Sequence, residues 1–241
     1  MMREGNVAPV EVRAGEDESD RRLGPRRCHA GQGQRERWRR RGRRGRLLTA
    51  AGALCVAAAI ALSIYNVWDA WHAGSVASEA LSEFELATPL SDSLPGIDSL
   101  RPMPEVEIDG RSYIGKLVIP SQGLELPVQA SWDYPALRVS PCRYAGSAYS
   151  GDLVIAAHNY VSHFGGLKDL REGDEVRFVD ADGNEFSYAV AFTDVLGPTA
   201  VDEMKAADGW DLTLFTCTWG GASRVTVRCA NTDGPLNGMR Q

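Results

Sequence analysis

Hydrophobic and polar positions follow three regimes along the chain, and each predicts a different kind of structure. Residues 1–46 are rich in Gly, Arg and acidic residues and read as a disordered basic tail. Residues 47–68 (LLTAAGALCVAAAIALSIYNVW) carry no charge over 22 positions, enough for one helix to cross a hydrocarbon layer of roughly 30 Å. Residues 69–87, rich in Ala and Glu, predict a short helical stalk. Pro89, Pro95, Pro102 and Pro104 then stand among Ser and Asp, so 69–104 is read as a stalk and Pro-rich linker that lifts a domain off a membrane.

From 105 to 232 the pattern changes to short apolar or alternating runs bounded by Gly, Pro, Asp and Asn. Strands are predicted at 113–119, 124–129, 152–157, 175–180, 185–193, 211–217 and 224–230. Val154–Ala157 and Leu212–Phe215 are almost continuously apolar, as in strands covered on both faces. The cluster Asp180-Ala181-Asp182-Gly183-Asn184 predicts a hairpin turn. Helix signals are short, at Phe164–Leu170 and Ala200–Ala207. Seven or eight short strands with few helices predict a mainly β fold, a closed β-barrel preceded by one transmembrane helix. Residues 233–241 read as a flexible tail.

Charge fixes the expected orientation. Residues 1–46 hold 14 Arg against 7 Asp and Glu, whereas 47–241 hold 12 Lys and Arg against 25 Asp and Glu. Eight of those Arg lie in 35–46, directly before the apolar run. That asymmetry keeps the N-terminus in the cytoplasm and sends the remainder outside, with Tyr65, Trp68 and Trp71 at the outer aromatic belt. The main domain is acidic, which argues against nucleic acid as its partner. Small residues at Ser75-Val76-Ala77 would suit a cleaved signal peptide, but a 46-residue basic region favours an uncleaved single-pass anchor in the cell membrane. The five cysteines (28, 55, 142, 217 and 229) contain no CxxC pair, which excludes an ordinary zinc finger and a dense disulfide scaffold.

The candidate chemistry lies at strand ends. His158 closes the apolar run LVIAAH, and Cys217 closes DLTLFTC. A thiol attacks as its thiolate, and an imidazole or guanidinium nearby favours that form. Six residues, TWGGAS, join Cys217 to Arg224. A symmetric hairpin would oppose the two directly, Cα atoms roughly 5 Å apart on one face, with Val225, Val227 and Cys229 on the other. Arg224 would then stabilise an oxyanion, while Arg228, opposite Thr213, would make at most a rim contact.

The stretches GKLVIPSQGLELPV, GDLVIAAHNYVSHFGGLKDLREGDEV and DLTLFTCTWGGASRVTVRC resemble the sortases, membrane-anchored cysteine transpeptidases of Gram-positive cell surfaces. The His, TLxTC and Arg signatures occur in the family's order. The resemblance implies an eight-stranded barrel, with Cys217 as nucleophile and His158 and Arg224 as essential partners. It implies cleavage of an LPxTG-like C-terminal sorting motif on surface proteins or pilins. The acyl group would pass to an amine of a cell-wall precursor or a pilin lysine. Thr216, at the TLxTC position, is expected to contact substrate, and neither metal nor cofactor is called for. Ala157 stands where Gly often precedes the His, and the short 197–210 segment lacks a long inserted helix.

Blander roles stand beside these. Cys217 could be an inert buried thiol in a tethered adhesion or signalling module. His163 could replace His158, although Ser162-His163-Phe164 reads as a helix start. Cys142 and Cys229 are read as two free buried thiols rather than a disulfide, and Trp219 admits either substrate stacking or loop filling. An L,D-transpeptidase signature around SHGC is absent, and papain-like enzymes place Cys before His, the reverse of this order.

Overall fold

The computed structural model describes residues 32–88, 98–206, 208–218 and 220–232. The basic tail up to residue 31, most of the Pro-rich stretch, Trp219 and the C-terminal nine residues lie outside them. The chain divides into two units, 1–58 and 59–241. Helix α1 runs from Gln32 to Ala87, and its apolar part is long enough to cross a membrane. The second unit holds the end of that helix and all the strands.

Nine strands follow: β1 (Val106–Ile108), β2 (Arg111–Ile119), β3 (Leu124–Gln129), β4 (Cys142–Ala145), β5 (Leu153–Ala156), β6 (Glu175–Asp180), β7 (Glu185–Leu196), β8 (Leu212–Cys217) and β9 (Arg224–Asn231). Two short helices, α2 (Tyr134–Leu137) and α3 (Val201–Lys205), interrupt them. The sheet order is β1-β2-β3-β4-β5-β8-β9-β7-β6, and a further β2–β6 pairing closes β2 to β9 into an eight-stranded barrel. Strand β1 lies outside the ring, antiparallel to the start of β2. All seven strands expected from the sequence form. The two unforeseen ones are β1, of three residues, and β4, of four, which meets β3 at the single parallel bridge Gln129–Cys142. Neither is long enough to show an alternating pattern.

Barrel closure depends on a close backbone approach. Gly115 of β2 pairs with Asp180 of β6, and a Cβ there would stand 2.3 Å from the Val179 carbonyl oxygen and 2.6 Å from Phe178 Cζ. Only a residue without a side chain fits. Ile114, Leu117, Ile155, Phe178, Leu214 and Val227 fill the interior and are fully buried. The Asp180–Asn184 turn is fixed by a buried carboxylate. Asp180 accepts from the Tyr149 hydroxyl (2.6 Å), from the backbone N–H groups of Asp182 and Asn184 (both 2.9 Å), and from Asn184 Nδ2 (2.8 Å). Four donors offset the desolvation of that charge.

The helix beyond residue 68 does not stand free. Ala73, Ala77, Ala80 and Phe84 are buried at spacings of four, three and four, one stripe of a helix. Phe84 and Ala80 pack with Ile108, Tyr113 and Ala181. Lys116 bridges Glu85 (2.6 Å) and Glu125 (2.7 Å) across the seam. The segment expected as a stalk is therefore a wall of the barrel unit. The apolar stretch ends at Trp68, one residue before docking begins at Asp69.

Gly115→Ala is expected to destabilise the barrel by about 2 kcal/mol, the usual cost of overpacking. Thermal unfolding of the full chain in detergent would register this as a lowered Tm.

Candidate active site

Three strands build the site. The inner residues Leu153, Ile155, Leu212 and Leu214 face the barrel core. On the outer face Val154, Ala156 and Phe215 pack with Met204, Leu137 and Tyr144 in a second cluster. Both faces are covered, which explains the unbroken apolar runs of β5 and β8. The outer cluster floors a groove.

Register brings the chemistry together. Strands β5 and β8 are parallel, with Leu153 beside Leu212 and Ala156 beside Phe215. The contacts continue past the ladder, as Ala157 N–H donates to the Phe215 carbonyl (3.2 Å) and Thr216 Oγ1 donates to the Ala157 carbonyl (2.8 Å). His158 follows two residues after Ala156, and Cys217 two residues after its partner Phe215, so the two residues leave neighbouring strands at the same level of the ladder. On the other side β8 and β9 are antiparallel, with Cys217 directly opposite Arg224 and Thr213 opposite Arg228. This is the hairpin register expected from the six-residue loop. By period two, His158, Cys217 and Arg224 share the outer face with Ala156 and Phe215.

All three border one cavity of about 230 Å³, walled by Trp132, Tyr144, Val201 and Met204 among others. Cys217 and Thr216 also border a smaller cavity of about 150 Å³ beside Phe164, Lys168 and Val225. Cys217 is half-buried. Among the described residues no hydrogen bond joins the three side chains. The Arg224 guanidinium donates to the carbonyls of Gly221 (3.0 Å) and Ser223 (3.1 Å), so it is turned onto its own loop.

Burial separates look-alike residues. His158 titrates below the ordinary histidine range, chiefly through burial and then through the Arg138 charge, with Asp69 opposing. It is therefore neutral at pH 7. His163 is only 1 % exposed and is held down to about 4 by burial and by His158, so it has no route to the groove. Cys142 and Cys229 are free and buried, and burial pushes both thiols up to about 12, which leaves them inert at neutral pH. Thr216 is buried, its hydroxyl spent on tying β8 to β5.

Arg228 differs from its expected rim role. It is 2 % exposed and donates to the carbonyls of Glu203 (2.7 Å) and Met204 (3.1 Å) and to Thr213 Oγ1 (2.9 Å). Its guanidinium lies 4.7 Å over the Trp210 ring. It thus satisfies carbonyls at the C-terminal end of α3 and holds one wall of the groove. Period two in the sequence put Arg228 on the outer face but carried no sign that α3 covers it.

The family model of the sortase domain matches residues 117–232. This part of the chain is a sortase domain. Over 115 residues the chain is 28% identical to Sortase A of Bacillus anthracis, covering 46% of this chain and 54% of that protein. It spans about half the length of that curated relative. Among solved structures, a Clostridium perfringens sortase D5 transpeptidase matches with a TM-score of 0.51 at 21% identity, over 65% of this chain and 98% of that one. That likeness concerns the fold. Sortase C1 of Streptococcus suis matches with a TM-score of 0.45 at 25% identity, over 54% of this chain and 76% of that one.

Two outcomes are expected of this sortase domain. Arg228→Ala should lose about 3 kcal/mol of stability, because two carbonyls and a threonine hydroxyl lose a buried charged donor. Chemical denaturation would measure it. The second concerns pH. His163 titrates near 4 when folded but near 6.5 when unfolded, so below about 6.5 the unfolded chain binds more protons. Its contribution to stability is complete above that value and is lost as the pH falls toward 4. His163→Gln should flatten the curve of Tm against pH across this interval.

Proposed function

We propose that the protein is a membrane-anchored cysteine transpeptidase that cleaves an LPxTG-like C-terminal sorting motif between Thr and Gly. The acyl group then passes to an amine of a cell-wall precursor or a pilin lysine. The observation that supports this reading is that His158, Cys217 and Arg224 line one largely apolar groove, with Cys217 directly opposite Arg224 and His158 just past the end of the neighbouring strand. Such alignment converts an encounter of separate groups into a preset geometry.

The chemistry follows from the roles these groups can hold. Neutral His158 takes the proton of Cys217 as the sulfur attacks the threonyl carbonyl carbon. The carbonyl electron pair moves to oxygen, and Arg224, swung from its loop carbonyls, stabilises that oxyanion. The pair returns, the C–N bond breaks, and His158 gives its proton to the departing glycyl amine. The thioester remains on Cys217. An acceptor amine attacks it, losing its proton to His158, and the thiolate leaves as the new amide forms and takes that proton back from His158. The apolar walls at Trp132, Tyr144 and Val201 suit the Leu and Pro of the motif, and Thr216 lines the site beside the nucleophile. The arginine-rich segment before Leu47 favours a cytoplasmic N-terminus and an extracellular catalytic domain.

Incubation with a library of LPxTG-like peptides, followed by mass spectrometry of the intact protein, tests the reading. A thioester adduct on Cys217 is expected, and Cys217→Ala should abolish both adduct and product while leaving the fold intact. Arg224→Ala should lower kcat/KM by at least about a hundredfold, and Arg224→Lys should recover only part, because an ammonium lacks the planar fork. Absence of any adduct in the wild type would leave a tethered surface module with a structural thiol. In intact protoplasts, external protease should digest the C-terminal domain and spare an N-terminal tag.

A further inference from the structure

His158 stands two residues past the end of β5 at Ala156, beyond the strand's ladder. Its carbonyl is tied, accepting from Phe164 N–H at 3.1 Å, but its ring is held by something else. The Tyr160 ring stacks on it, centroids 4.9 Å apart and planes 28° from parallel. The Tyr160 ring also meets His163, centroids 5.5 Å apart. The Tyr160 hydroxyl donates to Asp69 Oδ2 at 2.7 Å, and Asp69 is the first residue of α1 after its apolar stretch. Burial, and then this bond, push the phenol up to about 12, so it remains a donor at any physiological pH.

Two further contacts clamp the same loop to the same turn of the helix. Ser162 Oγ donates to the Ala70 carbonyl at 3.0 Å. Gly74 approaches so closely that a Cβ there would lie 3.0 Å from Ser162 Cβ.

We propose that Asp69 is a positioning residue for His158, acting through Tyr160 to fix the plane of the imidazole beside Cys217. The helix that leaves the membrane is then part of the active site, and the anchor does more than tether the domain. This rests on the reading of His158 as the proton carrier. The charged and titratable groups facing the imidazole are Asp69 from α1, Arg138 from the segment after α2, His163 from its own loop, and Cys217 and Arg224 across the groove.

The test uses the full chain in nanodiscs, with histidine ring carbons labelled for NMR and a sorting-motif peptide for kinetics. Asp69→Ala should lower kcat by between about tenfold and a hundredfold, the scale of a misplaced catalytic group, with KM nearly unchanged. Tyr160→Phe keeps the stack but loses the hydroxyl, so it should fall by a similar factor, and the double variant should be no worse than either single one. Asp69→Asn still offers a carbonyl oxygen to Tyr160 and should retain most of kcat. It also removes the anion that supports protonated His158, so the NMR titration of His158 should move to lower pH. A role confined to helix docking would lower Tm in Asp69→Ala and Tyr160→Phe but leave kcat where it is.

Wild-type kcat and an unmoved His158 titration in Asp69→Ala would overturn the proposal. If that variant does not fold, wild-type kcat in Tyr160→Phe together with an unmoved His158 titration in Asp69→Asn overturns it. Failure of the wild type on every motif would instead count against the transpeptidase reading, since the titration needs no substrate.

Discussion

The site hangs on one constraint, the backbone register of β5, β8 and β9. A parallel ladder that ends at Ala156 and Phe215 brings the segments carrying His158 and Cys217 out at one level, and an antiparallel ladder sets Arg224 opposite Cys217. A slip of one residue in either ladder would send a side chain to the opposite face of the sheet. The register is pinned because both faces are buried. Leu153, Ile155, Leu212 and Leu214 must face the core, while Val154, Ala156 and Phe215 must face the outer cluster. The Thr216 hydroxyl bond to the Ala157 carbonyl holds the two strands together at the point where they deliver His158 and Cys217.

Residues of one type are given different work by depth alone. Arg228 is buried beneath α3 and acts as a clamp on its last carbonyls, whereas Arg224, four residues earlier on the same face, is half-exposed at the groove with carbonyl partners that it can release. His163, also against Tyr160, is buried, and His158 borders the cavity. Cys142 and Cys229 are buried, and that burial pushes both thiols up, whereas Cys217 is half-buried at the groove.

The end of α1 ties these layers to the apolar helix. An alanine stripe lets the helix lie close against the barrel, from the His158 loop at one end to the Phe84 cluster at the other. Within this unit the last apolar residues pass into the docked segment without a break in the helix. The groove therefore lies on the same unit as the docked end of that helix.

The sequence by itself determined the apolar helix, the order of the seven longer strands, the Asp180–Asn184 turn and the Cys217–Arg224 pairing. Each is a local signal: an unbroken apolar run, an alternation, a turn composition or a loop of countable length. The alignment of His158 with Cys217 was not countable, because 58 residues and two other strands separate them, and a parallel pairing has no loop to fix its offset. The two shortest strands were illegible for lack of length. The burial of Arg228 and the reach of Asp69 to Tyr160 were decided only by tertiary structure. They depend on which surface a short helix or a long one comes to cover, and polar residues placed at contacts of that kind leave no periodic trace in the chain.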